Sequence, residues 1–579
     1  VGPDTVVVRV TASPEGLRRV LRGGVVNMAG ALVGAGLNLA LIVAITRAFS
    51  QETAGLLFSA TSVFLITAVA ANLGASDGLV YFIARMRVLG GSGSGGGVGP
   101  GDVSRLLRTA VTPALLVACA LGALLFAFAG PVADALEGDG ADVYLRLLAV
   151  FLPFAVLTDT ALAAARAHHD MAGTVLVDKV GRPLAQLVLV ALVVATGASG
   201  LLALAWAGPY LPAAVLAWFW LGRIVRRAAP EAEGALVGAG KATVAAGSRA
   251  AGDCPGAAGA QGAGDLPGPD GNPVAAENAE RVRSEHADAG RETAERPDAE
   301  RAGAERAGAE RADARTFWSF ALPRAVAGFA QMGVQRGGVV LVALLGGLTG
   351  AAVFTAATRI MVLGQFGTQA VMYAAQPRFA EQLATRDHTG VRSLYQAGAA
   401  WLVCLTWPLY LSALVFSPLL MRLFGPGYAE GAAALAVVCA GQLLASVLGM
   451  SDLVLAMTGR TRLNLLNNVS SLMTNVLVCV LLVPVMGATG AAVALVAAMM
   501  VRKLLPLWQL RSDVVLHPFS RPVLAATASA LTWFGALPLL LEAVLGGGIA
   551  ALVTAVAVGV AGHLVTVWSL RGPLGLARR

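Results

Sequence analysis

Residues 316–350 (TFWSFALPRAVAGFAQMGVQRGGVVLVALLGGLTG) are long and apolar enough to cross a bilayer, yet they carry Arg324, Gln331, Gln335 and Arg336. At about 100° per residue, Arg324, Gln331 and Gln335 fall within roughly 40° of one another, with Gly328 beside them. A guanidinium matches phosphate oxygens two at a time, and a carboxamide bonds a hydroxyl as donor or acceptor. The stripe therefore suits an anionic, hydroxyl-rich ligand. Lipid does not tolerate such a stripe, so the expectation is that it faces a protein interior or a water-filled cavity. The competing reading has Arg324 snorkelling to the headgroups and the glutamines tying helices together.

Other apolar stretches carry polar rows of the same kind. Asn27, Gly34 and Asn38 share a face near the N-terminus, where Gly30 and Gly34 also form a GxxxG packing motif. Gln365, Gln369 and Gln376 share another, with Arg359 a few residues earlier, and Asn464, Asn468, Ser471 and Asn475 form a third. Asp159 lies in an apolar run with Arg166 and Asp170 on the same side, and Asp178 and Arg182 stand at i,i+4 as an ion pair. Asp159 and Asp77 are the candidate coupling carboxylates. Buried amides and arginines outnumber carboxylates, whereas a site for cationic drugs needs acidic and aromatic walls. For an anion leaving a negative interior, the membrane potential contributes about 2.3 kcal/mol per charge per 100 mV.

Catalytic and cofactor signatures are missing from this pattern. The chain has no GxxxxGK[ST], no HExxH, and no zinc or haem spacing among its five cysteines. No cofactor, metal, enzymatic activity or nucleic-acid partner is expected, and the net charge of +8 marks loops at a membrane surface instead.

The elements that must position these residues are membrane spans. The chain is 57% hydrophobic and 13% charged, with a mean hydropathy of +0.72. That composition belongs to an all-α polytopic membrane protein. Apolar runs of about 20 residues predict spans near 24–46, 55–75, 107–130, 144–166, 174–196 and 201–222. Eight more follow near 317–346, 351–376, 395–416, 432–457, 464–485, 488–510, 522–545 and 548–570, about fourteen in all. Arginines cluster in the termini and in or beside the loops after the second, sixth, eighth, tenth and twelfth spans, while the alternate loops are short and neutral or acidic, as at Asp134, Glu137, Asp139 and Asp142. The positive-inside rule then puts both termini in the cytoplasm. The first apolar run is long enough to remain as a span rather than a cleaved signal.

Two loops depart from this economy. Residues 90–101 (GGSGSGGGVGPG) read as a flexible tether. Residues 228–315 are rich in Ala, Gly, Glu and Arg and end in AERAGAERAGAERADAR; without an apolar stripe they read as a disordered cytoplasmic insertion, with a weak solvated helix in the repeat. The flanking halves resemble one another. GLLFSATS (55–62) aligns with AAVFTAAT (351–358), DTALA (159–163) with DLVLA (452–456), and GASGLLALA (197–205) with GATGAAVAL (487–495), each at an offset of about 290 residues. The expected organisation is a cytoplasmic segment 1–23, a six-helix lobe 24–227, the insertion 228–315, a second lobe 316–511, and two extra spans with a cytoplasmic tail in 512–579.

Several stretches resemble the multidrug/oligosaccharidyl-lipid/polysaccharide (MOP) flippase superfamily, in particular its bacterial polysaccharide-transporter, O-antigen flippase-like branch. They include ITRAFSQETAGLLFSATSVFLI (45–66), NLGASDGLVYFIAR (72–85) and LVDKVGRPLAQLVLV (176–190). FWSFALPR (317–324), LMRLFGPGY (420–428) and MTGRTRLNLLNN followed by LLVPVMGATGAA (457–468, 481–492) complete the set. The resemblance implies two pseudo-symmetric six-helix lobes in a V shape, alternating access in a bacterial plasma membrane, and outward movement of a lipid-linked saccharide diphosphate. It points to Arg324 and Arg336, with Arg47 and Arg359 behind them, as cleft cations, and Gln331, Gln335, Asn27 and Asn38 as partners of the sugars. Glycosyltransferases or a polymerase of the same pathway would be its partners. Spans thirteen and fourteen resemble the flippase branches more than the twelve-span drug exporters. The rival readings are a cation-coupled multidrug antiporter of the same superfamily using Asp77 or Asp159, a membrane glycosyltransferase or ligase, and a scaffold acting through residues 228–315.

Overall fold

The computed structural model describes residues 14–90, 100–136, 138, 140–168, 170–226, 273–546 and 548–569, with the side chains of 14–28, 87–90, 100–102 and 273–313 outside the description. Among the described residues, twelve helices are long and apolar enough to cross a membrane. The first six are Ala29–Ala48, Gln51–Asn72, Val103–Ala127, Ala141–Ala167, Thr174–Thr196 and Ser199–Arg226. The remainder are Ala314–Ala384, His388–Val415, Pro426–Val447, Thr461–Leu510, Arg521–Leu545 and Ile549–Ser569.

Two of these are too long for one crossing. Ala314–Ala384 has 71 residues, roughly 100 Å if straight, against a hydrocarbon layer of about 30 Å. It breaks at Gly347 (φ 81°, ψ 165°) and Thr461–Leu510 breaks at Gly487 (φ 54°, ψ −131°), backbone angles that only glycine adopts readily. Beyond each break the chain turns back: Phe354 packs on Gly338 and Val342 on Gly350, while Ser471 donates to the Ala498 carbonyl at 2.8 Å and Asn467 exchanges two amide bonds with Gln509. Each long helix is thus a hairpin holding two crossings, which recovers the fourteen spans expected, and those spans are numbered in chain order below.

Contacts sort the loops into two sets. On the side where the first span ends, Arg47 bonds the carbonyls of Arg422 and Leu423, Gly138 meets Leu56 and Leu348, and Tyr144 bonds the Ser199 carbonyl. On the opposite side, Arg392 bonds the Val515 carbonyl, Gln396 meets His517, and Arg460 pairs with Asp513 at 2.7 Å. All loops after odd-numbered spans that make these contacts fall in the first set and all after even-numbered spans in the second, as an uninterrupted series of crossings requires.

By contact density the chain forms two units. One comprises Val1–Ala84, Leu106–Ile224 and Ala321–Arg579, and holds a large apolar core to which Leu57, Phe64 and Leu148 contribute from one half and Val342, Phe354 and Leu435 from the other. The second comprises Arg85–Arg105 and Val225–Phe320. Of the insertion expected at 228–315, residues 228–272 lie outside the described residues; from Pro273 onward the backbone is helical.

Candidate functional site: a charged core between the two halves

The fifth span opens with a π-helical turn, Thr174–Gly181, before the α-helix resumes at Arg182. The wider turn re-aims side chains that a regular helix would place elsewhere, a device common at functional sites. Here it carries Asp178, whose Oδ1 accepts from Arg182 Nη2 at 2.8 Å and Nε at 3.2 Å. Arg182 Nη1 also donates to the Tyr210 hydroxyl at 3.2 Å, and its guanidinium lies 4.9 Å from that ring's centroid. Tyr210 is held in turn by Phe64 and Trp206, at 5.4 and 5.8 Å between centroids. The pair read from sequence as structural is therefore the base of a larger cluster.

Asp159 joins that cluster electrostatically. Asp178, Arg182, Arg166 and Lys179 all act on its carboxylate. The Asp159 side chain is exposed. Among the described residues it forms no ion pair of its own.

Tyr210 also interacts with Arg336 of the seventh span, and Arg336 with Arg359 of the eighth. The cluster thus crosses from one half of the chain to the other. Both arginines are half-buried, and among the described residues no carboxylate acts on either. Arg359 Nε is buried without a hydrogen-bond partner. Two half-buried guanidiniums lacking a counter-charge form an arrangement that an anion would relieve.

The remaining predicted residues are placed variously. Gln331 and Gln335 are exposed and line a cavity of about 320 Å³ with Gln365 and Gln369. Arg324 is exposed on the same face of the seventh span but does not line that cavity. It precedes Arg336 by twelve residues, roughly 18 Å along the helix and 120° around it, too far for both to grip one diphosphate. Arg47, expected near substrate, donates Nε to the Leu423 carbonyl at 2.8 Å and Nη2 to the Arg422 carbonyl at 3.1 Å, clasping the two halves at one membrane face. Asn38 donates to its own helix at the Gly34 carbonyl. The Asn27 side chain lies outside the described residues. Gly30 and Gly34 seat directly on Val175 and the Lys179 carbonyl, where a Cβ at Gly34 would stand 2.3 Å from that oxygen; the GxxxG is a packing seam. Asp77 is exposed in the first turn of the helix Ala75–Gly90.

Sequence reading passed over two contributors. Tyr210 sits in an aromatic-flecked span where nothing in its spacing sets it apart. Asp452 entered only as part of a repeat; it accepts from Lys503 Nζ at 2.8 Å and Arg502 Nη2 at 3.4 Å, partners some fifty residues away. The register of DTALA with DLVLA was the available signal, since it sets Asp452 where Asp159 stands in the other half.

With this geometry in hand, comparison with solved structures decides the fold. Lipid II flippase MurJ, in an inward closed conformation, matches over 95% of this chain and 99% of its own, with a TM-score of 0.61 at 11% identity. An inward-facing multidrug resistance MATE family transporter of the MOP superfamily matches over 85% and 97%, with a TM-score of 0.57 at 14% identity. This chain has the fold of MOP-superfamily transporters. A third match, the MATE multidrug transporter DinF-BH in a ligand complex, covers 86% and 95% with a TM-score of 0.51 at 15% identity. No family model and no curated protein matches the sequence. The matched proteins are transporters, and this chain is a multi-pass membrane protein of the same architecture.

Proposed function

We propose that this protein is a flippase that carries a lipid-linked saccharide diphosphate from the cytoplasmic to the outer leaflet of a bacterial plasma membrane, with both termini in the cytoplasm. The observation that carries the reading is the Arg336–Arg359 pair, half-buried where the charge cluster crosses between the halves, with no carboxylate among the described residues acting on it. A diphosphate supplies the missing charge, and each guanidinium can bond two of its oxygens. The halves act as lobes that rock about this point. The Arg47 clasp closes the outer face, and Gly74 against the Ala321 carbonyl brings the halves together at the inner one. The likeness to a lipid II flippase supports the choice of a lipid-linked substrate.

The test is transport in proteoliposomes loaded with a fluorescent lipid-linked saccharide diphosphate, read by outer-leaflet quenching. Removing two charge-assisted contacts worth about 1.5–3 kcal/mol each, as in Arg336→Ala/Arg359→Ala, is expected to cut flipping by about 100-fold or more in a monodisperse protein. Flipping at the wild-type rate would overturn the reading.

One observation favours the antiporter alternative: Asp159 is an accessible carboxylate without an ion pair among the described residues. That reading expects dye efflux driven by a proton or sodium gradient and lost in Asp159→Asn. The flippase reading expects Asp159 to tune only the ion dependence of lipid movement.

A further inference from the structure

The hairpin at Gly347 brings two glutamine pairs, each at i,i+4, onto one wall: Gln331 and Gln335 from the seventh span, Gln365 and Gln369 from the eighth. Facing them across the cavity of about 320 Å³ are Gln442 and Ser446 of the tenth span and Met499 of the twelfth. Among the described residues, none of the four wall amides makes a hydrogen bond, and the Gln442 amide reaches only the Met499 sulfur, at 3.9 Å. Within the hydrocarbon layer, idle amides of this number are expensive unless water or a ligand meets them.

The floor has no free carboxylate, since Arg502 and Lys503 both line it and both pair with Asp452. Asp452 is clamped by Lys503, which also bonds the Gly449 carbonyl at 3.0 Å, and the side chains of Asp452 and Lys503 are only 12% and 16% exposed. Among the described residues, no aromatic side chain lines the cavity. A site for an organic cation would present the opposite: aromatic faces and an unpaired carboxylate. Carboxamides in opposed rows read hydroxyls, because each amide and each hydroxyl both donate and accept.

We propose that this cavity, contained within the C-terminal half, is a saccharide subsite that binds hydroxylated pyranose rings through Gln331, Gln335, Gln365 and Gln369. Its volume is near the bottom of the range for ligand pockets, about 300–1,000 Å³, so it admits about one or two rings and leaves any longer glycan unread. Gln335 and Met361 on its wall are one and two residues from Arg336 and Arg359, so the subsite adjoins the anion position while remaining separate from it. The inference rests on the flippase reading for its biological meaning, but its binding chemistry is independent of it.

The experiment is titration calorimetry of the full-length protein in nanodiscs with two kinds of probe: a panel of free neutral and uronate-containing disaccharides, and inorganic pyrophosphate. At least one disaccharide is expected to bind wild-type protein, and to bind Gln335→Leu/Gln369→Leu at least tenfold more weakly. The milder Gln369→Ala, at an exposed position, is expected to show a smaller loss in the same direction. Gln376→Leu, on the same helix face but outside the cavity, is expected to bind like wild type. Pyrophosphate binding should be unchanged in the glutamine variants and lost in Arg336→Ala/Arg359→Ala. Absence of disaccharide binding across the panel, or equal weakening by Gln376→Leu, overturns the subsite. Pyrophosphate binding that survives the arginine double variant overturns the diphosphate reading and leaves the subsite standing.

Discussion

The two halves carry an aspartate at the same register of the internal repeat and treat it differently. In the C-terminal half, Asp452 is locked by Lys503 at 2.8 Å and Arg502 at 3.4 Å. In the N-terminal half, Asp159 is exposed, and the nearby Arg182 is committed elsewhere, to Asp178 and the Tyr210 hydroxyl. One carboxylate is part of a strut; the other is left available to a proton or cation. A duplicated framework can thus keep its packing in both copies while only one retains a group free to change charge. This asymmetry belongs to partner choice rather than to backbone, since both aspartates lie on helices.

The sharpest test of the comparison is stability. Asp452→Asn leaves Lys503 enclosed without its carboxylate, and removing one partner of a buried pair costs about 3–5 kcal/mol. A marked fall in thermal unfolding temperature in detergent is expected. Asp159→Asn removes no ion pair and is expected to change stability by less than about 1 kcal/mol while altering the ion dependence of transport. Equal destabilisation by the two variants would dissolve the distinction. Replacing Asp452 and Lys503 together by Leu and Met should recover most of the loss, because apolar isosteres of a buried pair are often neutral.

A weaker effect is expected at the clasp between the halves. Arg47→Gln removes donors to two carbonyls at a membrane face, contacts worth about 1 kcal/mol each in an exposed setting. The face should open about thirtyfold more often. Labelling of Ala54→Cys, a buried position seven residues after Arg47, by an impermeant thiol reagent would report it once exposed Cys119, together with Cys254, has been replaced by serine. Unchanged labelling would show that the clasp does not hold the halves closed.

Much of this framework could be read from residue order. Apolar run length and loop arginines fixed fourteen spans and their alternation, and the helix breaks fall at Gly347 and Gly487, between the runs assigned to separate spans. Angular spacing alone grouped Gln331 with Gln335 and Gln365 with Gln369. What escaped were facts of long-range pairing. Arg47 was expected as a cleft cation from the family resemblance; its carbonyl partners lie some 375 residues away. The π turn at Thr174–Gly181 has no proline or glycine pair to announce it within the turn, so the aim of Asp178 toward Arg182 and Tyr210 could be seen only in three dimensions. Lys503 pairs with Asp452 across some fifty residues, which no local spacing announces.

Arg324 supplies the smallest expected effect and the finest division of roles. Periodicity places it with Gln331 and Gln335, and the sequence alone makes its removal an expected loss of export. The helical rise separates it from Arg336 by roughly 18 Å, and it is exposed near the start of its span, on the side where the proposed substrate enters. On the proposed reading, a cation there would attract the diphosphate before the Arg336–Arg359 pair takes hold of it. Arg324→Ala is accordingly expected to raise the half-saturating substrate concentration a few-fold with little change in the maximal rate, whereas Arg336→Ala lowers the maximal rate itself. Added salt should mimic Arg324→Ala, because attraction at an exposed charge is screened while contact at a half-buried one is screened much less. If Arg324→Ala abolished transport and the Arg336/Arg359 variant merely weakened it, the anion would be gripped at the mouth, and the charge cluster crossing between the halves would be a structural brace like the one at Asp452.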